Sequence, residues 1–365
     1  MRELLIFVPS IEDGGVEKNL FLISNYFANN KIKTNIITAN LNKKKKFNNK
    51  VNFISSKSNF FNNKNRFYKT IFCFYLLFKF LIKKKNFLIL SFQANIYAIF
   101  FAWFFRLDII TRSNTAPPGW SSNHLKRLIF KIFFKYPKKI IVNSNDFKNQ
   151  IDKEFNVKSL CIFNPLDKKN VKIKSLVKTK INFFKKQSYN FINIGRMTDQ
   201  KDQILILKAF NKIKNKLNFK LIILGKGKNK QFLQNYIKYN NLSKRVKIIG
   251  YKKNPYPYIR KADVFILSSK FEGLPNVLLE SQYLKKIIVS TSCPTGPKEI
   301  LLNGQAGFLF DIGNAEQLKK IILFITKQKN SKIVSKKVNI GFNSIDRFDF
   351  KKNINKYFYL IKKYL

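Results

Sequence analysis

Two glutamates, Glu272 and Glu280, are separated by seven residues in the stretch Glu272-Gly-Leu-Pro-Asn-Val-Leu-Leu-Glu280. A carboxylate accepts hydrogen bonds on both oxygens and can hold two neighbouring hydroxyls. The start of a helix attracts phosphate through its exposed amides. Hydroxyls and phosphate held together point to a nucleotide sugar. The competing reading makes both acids ordinary solvated helix-end residues favoured by the helix dipole. A second constellation, Gly195-Arg196-Met-Thr-Asp-Gln-Lys201, offers a guanidinium fork and a compact ammonium, the two devices used on a diphosphate.

The elements that must position these groups alternate between strand and helix. Val264–Leu267 reads as a buried strand, Gly273 as the source of loop freedom, Pro275 as the opening of a helix, and Ile287–Val289 as the next strand, which together make a βαβ unit. Both carboxylates then lie near the carboxyl ends of parallel strands, where open α/β sheets bind ligands. Phe191–Gly195 is expected to be the strand before Arg196, with a helix starting near Gln203. Lys220–Leu224 leads into Gly225-Lys-Gly227, a strand-to-glycine turn without the third glycine of a dinucleotide fingerprint.

This arrangement resembles the retaining glycosyltransferases of the GT-B type, glycosyltransferase family 4, whose members carry two glutamates at this separation. The segment Thr295-Gly-Pro-Lys-Glu-Ile-Leu301 is similar to members that build bacterial surface glycans from UDP-sugars. The resemblance implies donor-binding roles for Gly14, Gly15, Gly195, Arg196, Lys201, Gly225, Tyr251, Glu272, Gly273, Leu274, Asn276 and Glu280. Among these, Glu272, Arg196 and Lys201 are the expected catalytic residues. It also implies retention at the anomeric carbon, and that a terminal helix, 348–365, crosses back onto the first domain.

Earlier in the chain, Glu3–Pro9 reads as a strand, Gly14-Gly15 as a loop and Leu20–Asn29 as an amphipathic helix; the loop is similar to the family's Gly-Gly-x-Glu element. The strand Asp108–Thr111 leads into Arg112-Ser-Asn-Thr-Ala-Pro-Pro-Gly-Trp120, where Arg112 and Asn114 are expected to make acceptor-side contacts. His124, the only histidine, reads as a surface residue near a helix start. The domains are expected over 1–168 and 190–347, joined by a Lys-rich linker, 169–189, with the helix 348–365 completing the first.

The 71 Lys and Arg against 19 Asp and Glu give a net charge of +52, which directs the chain to anionic surfaces. Codon drift toward lysine and asparagine accounts for much of it, yet Lys18 to Leu107 holds 17 basic residues and no acid. Three cysteines without metal spacing predict a reducing compartment, and the start shows no signal-peptide pattern. The apolar runs Ile71–Ile82 and Ala94–Phe105 fall short of the ~20 residues needed to span a bilayer. Arg66–Lys85, with aromatics between cations, reads either as a buried helix or as a segment lying in an anionic membrane interface. The Lys43–Lys46 run reads as a solvated loop.

The expected fold is α/β, two doubly wound Rossmann-like domains of the GT-B type facing a central cleft. The expected activity moves a hexosyl or N-acetylhexosaminyl group from a UDP-sugar to a hydroxyl of a lipid-linked glycan, in surface polysaccharide synthesis. No Asp-x-Asp sequence is present, so neither a metal nor another cofactor is expected. The expected partners are the UDP-sugar, the glycan acceptor and an anionic membrane surface at the inner face of the cytoplasmic membrane, with no specific nucleic acid. A sugar-nucleotide epimerase of the same architecture and a basic nucleic-acid-binding protein are the alternatives.

Overall fold

The computed structural model describes residues 2–12, 14–114, 124–328 and 331–365. Short, mostly apolar runs become parallel strands, and the central ones are buried on both faces. Met1–Pro165 with Phe350–Leu365 forms one unit, and Leu166–Asp349 a second.

The first unit holds β1 (Glu3–Phe7), β2 (Thr34–Ile37), β3 (Asn52–Ile54), β4 (Phe87–Ser91), β5 (Ile109–Arg112), β6 (Lys139–Val142) and β7 (Leu160–Cys161), in the order β3-β2-β1-β4-β5-β6-β7. The second holds β8 (Tyr189–Ile194), β9 (Phe219–Leu224), β10 (Val246–Ile249), β11 (Val264–Leu267), β12 (Ile287–Thr291) and β13 (Phe308–Phe310), in the order β10-β9-β8-β11-β12-β13. Every named strand pairing is parallel, so each unit is a doubly wound α/β sheet, as the alternating pattern predicts. Strand order reverses between β1 and β4 in the first sheet and between β8 and β11 in the second. Loops at such a reversal diverge and leave a crevice at the carboxyl ends of the strands.

The helix Phe350–Tyr364 packs within the first unit. Ile354, Tyr357 and Ile361 are fully buried there in a cluster that also holds Leu20, Ile23 and Phe27 of the helix Gly15–Asn29. Tyr26 supports the same junction, its hydroxyl donating to Asn355 Oδ1 at 2.7 Å and its ring lying edge-on to Phe350 and Phe358. Each fully buried side chain of this kind contributes about 1.5–3 kcal/mol.

Three local expectations change. The first helix begins at Gly15, not near Leu20, because Gly14 takes the extended N-cap conformation and leaves the glycines inside the helix start. The 169–189 stretch is not a plain connector: Asp167 caps a helix, Lys168–Ser175, whose Val171 is fully buried in the second unit. The Lys43–Lys46 run ends a short 3-10 helix, Leu41–Lys46, with Lys44 to Lys46 exposed. Residues 115–120 of the loop after Arg112, and the side chain of His124, lie outside the described residues.

Candidate functional site

In the second unit the chain leaves β8 through Gly195, Arg196 and the turn to Lys201, and leaves β11 through Ser268, Ser269 and the loop to Glu272. These neighbouring strands flank the reversal, and their loops are stitched together. Lys270 N donates to the Gln200 carbonyl at 2.8 Å, Gln200 Nε2 to the Phe271 carbonyl at 2.9 Å, and Ser268 Oγ to the Lys201 carbonyl at 2.8 Å.

The Lys201 ammonium forms an ion pair with the Glu272 carboxylate. Ser269 Oγ donates to the same carboxylate at 2.6 Å, and Thr295 Oγ1 donates to the Glu272 carbonyl at 2.6 Å. Glu272 is 7% exposed and Glu280 5%, so the solvated helix-end reading of the two acids does not hold. Burial of this kind demands partners. Glu280 lies in the helix Asn276–Tyr283 and accepts from the Tyr256 hydroxyl at 3.4 Å. Between the two acids, Gly273 and Leu274 are buried and Asn276 is half-buried, with Pro275 at the N-cap.

Two glycines let these loops meet. Gly225, at φ 153°, sits so close to Gly195 that a Cβ there would overlap the Gly195 carbonyl oxygen. Gly296, at φ 67°, sits against Gly273, and a Cβ there would overlap the Gly273 carbonyl. Of these two glycines, the positive φ belongs to Gly296, in the loop that follows β12, and not to Gly273, the expected source of loop freedom.

Arg196 is exposed beside this network, with its carbonyl accepting from Gln203 Nε2 at 3.0 Å. Tyr251, after β10, is also exposed, and the Lys226 ammonium lies 5.5 Å from its ring centre. The Cys293 thiol is pushed up to about 12, first by burial and then by the Glu272 charge, so it is inert at neutral pH. Ser269, Thr295, Gln200 and Tyr256 hold the site together and were not singled out as site residues from sequence. The serines at the carboxyl end of β11 and Thr295 beside Gly296 were the available signals.

In the first unit Gly14 and Gly15 are exposed at a helix start. Glu17, in the first turn, is buried and accepts from Gln93 Nε2 at 3.5 Å, which joins the loops after β1 and β4 at that sheet's own reversal. Arg112 departs from expectation. It is fully buried; its Nε donates to the Tyr357 hydroxyl at 2.8 Å, one terminal nitrogen donates to Asn164 Oδ1 at 2.7 Å and the other to Asn114 Oδ1. Its guanidinium also lies over the Phe92 ring at 5.2 Å. Arg112 thereby joins the sheet to the terminal helix. Asn114, half-buried, is held by Arg112 and by the Phe92 carbonyl at 3.1 Å.

The assembled groups can bind hydroxyls on carboxylates and a phosphate on cations and helix-start amides. Residues 177–339 match the model of the family described as glycosyl transferases group 1. An uncharacterized glycosyltransferase of Methanocaldococcus jannaschii is 39% identical over 48% of this chain and 44% of its own length. The N-acetylgalactosamine-N,N'-diacetylbacillosaminyl-diphospho-undecaprenol 4-alpha-N-acetylgalactosaminyltransferase of Campylobacter jejuni is 29% identical over 58% of each chain. This chain therefore spans about half the length of the curated relatives it matches. Among solved structures, Anabaena HepE in complex with UDP superimposes with a TM-score of 0.79 over the whole of both chains at 15% identity, a likeness of fold.

Proposed function

We propose, on the premise that this chain belongs through residues 177–339 to the glycosyl transferases group 1 family, that it transfers a hexosyl or N-acetylhexosaminyl group from a UDP-sugar to a hydroxyl of a lipid-linked glycan. The reaction belongs to bacterial surface polysaccharide or lipopolysaccharide synthesis, at the inner face of the cytoplasmic membrane. The observation that carries it is the Lys201–Glu272 pair at the strand-order reversal between β8 and β11.

In the reaction the bond from the anomeric carbon to the diphosphate breaks, UDP leaves with the electron pair, and the acceptor oxygen forms the new bond as its proton passes to the departing diphosphate oxygen. Negative charge grows on the diphosphate, so the main catalytic work is electrostatic. Arg196 and Lys201 are assigned to that charge, and no metal is required of the site. Glu272 is assigned to hydroxyls of the donor sugar and Glu280 to those of the ribose. The Lys201–Glu272 pair holds both groups oriented and largely shielded from solvent. Within the first unit, the amides at Gly14 and Gly15 are assigned as an anion-binding helix start. Retention at the anomeric carbon rests on the resemblance to family 4, and the lipid-linked acceptor on the diphospho-undecaprenol named for the Campylobacter relative.

The test is product analysis. Incubation with UDP-sugars and a lipid-linked glycan extract should add one hexose or N-acetylhexosamine mass to the acceptor, with an α linkage from an α-linked donor by NMR. Donor isomerised to another UDP-sugar without acceptor would replace this reading with epimerisation.

A further inference from the structure

Among the described residues, three helices of the first unit expose large apolar side chains on their outward faces. The helix Arg66–Lys83 buries one seam, Lys69, Cys73, Leu77 and Phe80, against the sheet. On the opposite side, Phe67, Ile71, Tyr75, Phe78 and Ile82 recur every three or four residues and are all exposed. At 100° per residue they form a second stripe about 180° from the first. The helix Asn95–Phe104 repeats the arrangement, burying Ala98, Ile99 and Ala102 while exposing Tyr97, Phe100, Trp103 and Phe104. The helix His124–Phe133 exposes Leu128, Ile129 and Ile132.

The three stripes form one surface. Phe78 and Phe105 lie 5.8 Å apart and Phe74 and Phe101 5.6 Å apart, which seats the first helix beside the second. Phe133 lies 5.6 Å from Phe100 and 5.7 Å from Trp103, which seats the third beside the second. Ile71 is 54% exposed, Ile82 66%, Trp103 49% and Ile132 59%. A contiguous exposed apolar surface of this extent marks an interaction site.

Charge selects the occupant. Between Glu17 and Asp108, and again across all three helices, the sequence has no acidic residue, while Arg66, Lys79, Lys83, Lys85, Arg106 and Lys131 are exposed on the helices or at their ends. A second copy of this chain would bring like charges together, and its aliphatic groups have no use for stacked bases. An anionic bilayer satisfies both features: acyl chains take the Ile and Phe side chains, the headgroup region takes Tyr and Trp, and acidic headgroups meet the cations. Among the described residues no helix is long and apolar enough to cross a membrane.

We propose that the outward face of the helices Arg66–Lys83, Asn95–Phe104 and His124–Phe133 docks the first unit into an anionic lipid bilayer. This deepens the reading of a lipid-linked acceptor, since it names the surface that meets the lipid, yet it rests on the first unit alone.

The test is co-sedimentation of the full chain with vesicles of phosphatidylcholine, alone or mixed with phosphatidylglycerol. Wild type should sediment with the mixed vesicles only, and the triple variant Ile71→Ser, Ile82→Ser, Ile132→Ser should bind at least about tenfold more weakly. In a Trp120→Phe background Trp103 becomes the sole tryptophan, and its emission should shift to shorter wavelength on the mixed vesicles. UDP binding by the triple variant, measured without vesicles, should equal that of wild type, which separates this proposal from the donor reading. Failure of wild type to bind the mixed vesicles, or binding that the triple variant leaves unchanged, would overturn the proposal. So would an unshifted Trp103, or a variant that loses affinity for single-stranded RNA or for a second copy of the chain while lipid is ignored.

Discussion

Lys201 and Glu272, carried on loops that leave two neighbouring parallel strands, neutralise each other inside the second unit. Both side chains are largely shielded from solvent, so removing one partner strands the other charge, at a cost of about 3 kcal/mol. Lys201→Met should lower the urea midpoint of the second unit by that order and slow transfer by about a hundredfold or more. The double variant Lys201→Met, Glu272→Gln should recover much of the stability and none of the activity. Recovery of both would make the pair a purely structural bridge.

Gly296 and Gly225 are expected to resist the smallest side chain. Either Gly296→Ala or Gly225→Ala places a methyl group on a backbone carbonyl at a positive φ, so the loops around Glu272 or Arg196 must move apart. Each should destabilise the second unit by about 2 kcal/mol or more and weaken UDP binding, measured by calorimetry. Unchanged UDP affinity in both would show that loop closure there is not needed.

The buried Arg112–Tyr357 contact predicts a stability effect without a binding effect. Tyr357→Phe removes one acceptor from a buried guanidinium and should cost about 1–3 kcal/mol. Arg112→Lys should cost more, because an ammonium cannot reproduce a fork aimed at Tyr357, Asn114 and Asn164. UDP affinity should stay at the wild-type level in Tyr357→Phe. A loss of acceptor affinity at full stability would return Arg112 to the ligand side.

Acid should weaken the first unit through Glu3. Burial raises its pKa, but hydrogen bonds from Lys33, Lys84 and Asn35 outweigh that and hold it at about 2. A carboxylate depressed in the folded state contributes stability fully above its ordinary range and loses it as pH falls toward the folded value. Allowing for solvent around the two lysines, the contribution is about 1 kcal/mol. Unfolding of wild type and Glu3→Gln should therefore differ at about pH 6 and converge near about pH 2, read by urea titration.

Much of this molecule was legible because its patterns are local. The strand Val264–Leu267 and the helix Ala315–Lys327 follow directly from an apolar run and a helical period. The helix Lys168–Ser175 was hidden because lysines fill its exposed positions; the Asp167 cap and the burial of Val171 hold it, and burial depends on the tertiary fold. Glu272 and Lys201 could be named from residue type, but their pairing depends on the neighbouring placement of β8 and β11, which spacing in sequence does not encode. The burial of Arg112 was hidden for the same reason, since Tyr357 lies 245 positions away on the returning terminal helix. The aromatic stripe on Arg66–Lys83 was visible as composition, and only the buried seam opposite it shows that the stripe faces outward.

The most direct measurement is UDP release from a panel of UDP-sugars, with lipid-linked glycan extract and EDTA, for wild type and Glu280→Ala. The account predicts release that requires the extract, persists in EDTA, favours one donor and collapses in the variant. Absence of UDP release with every donor, or release that Glu280→Ala leaves intact, would contradict it.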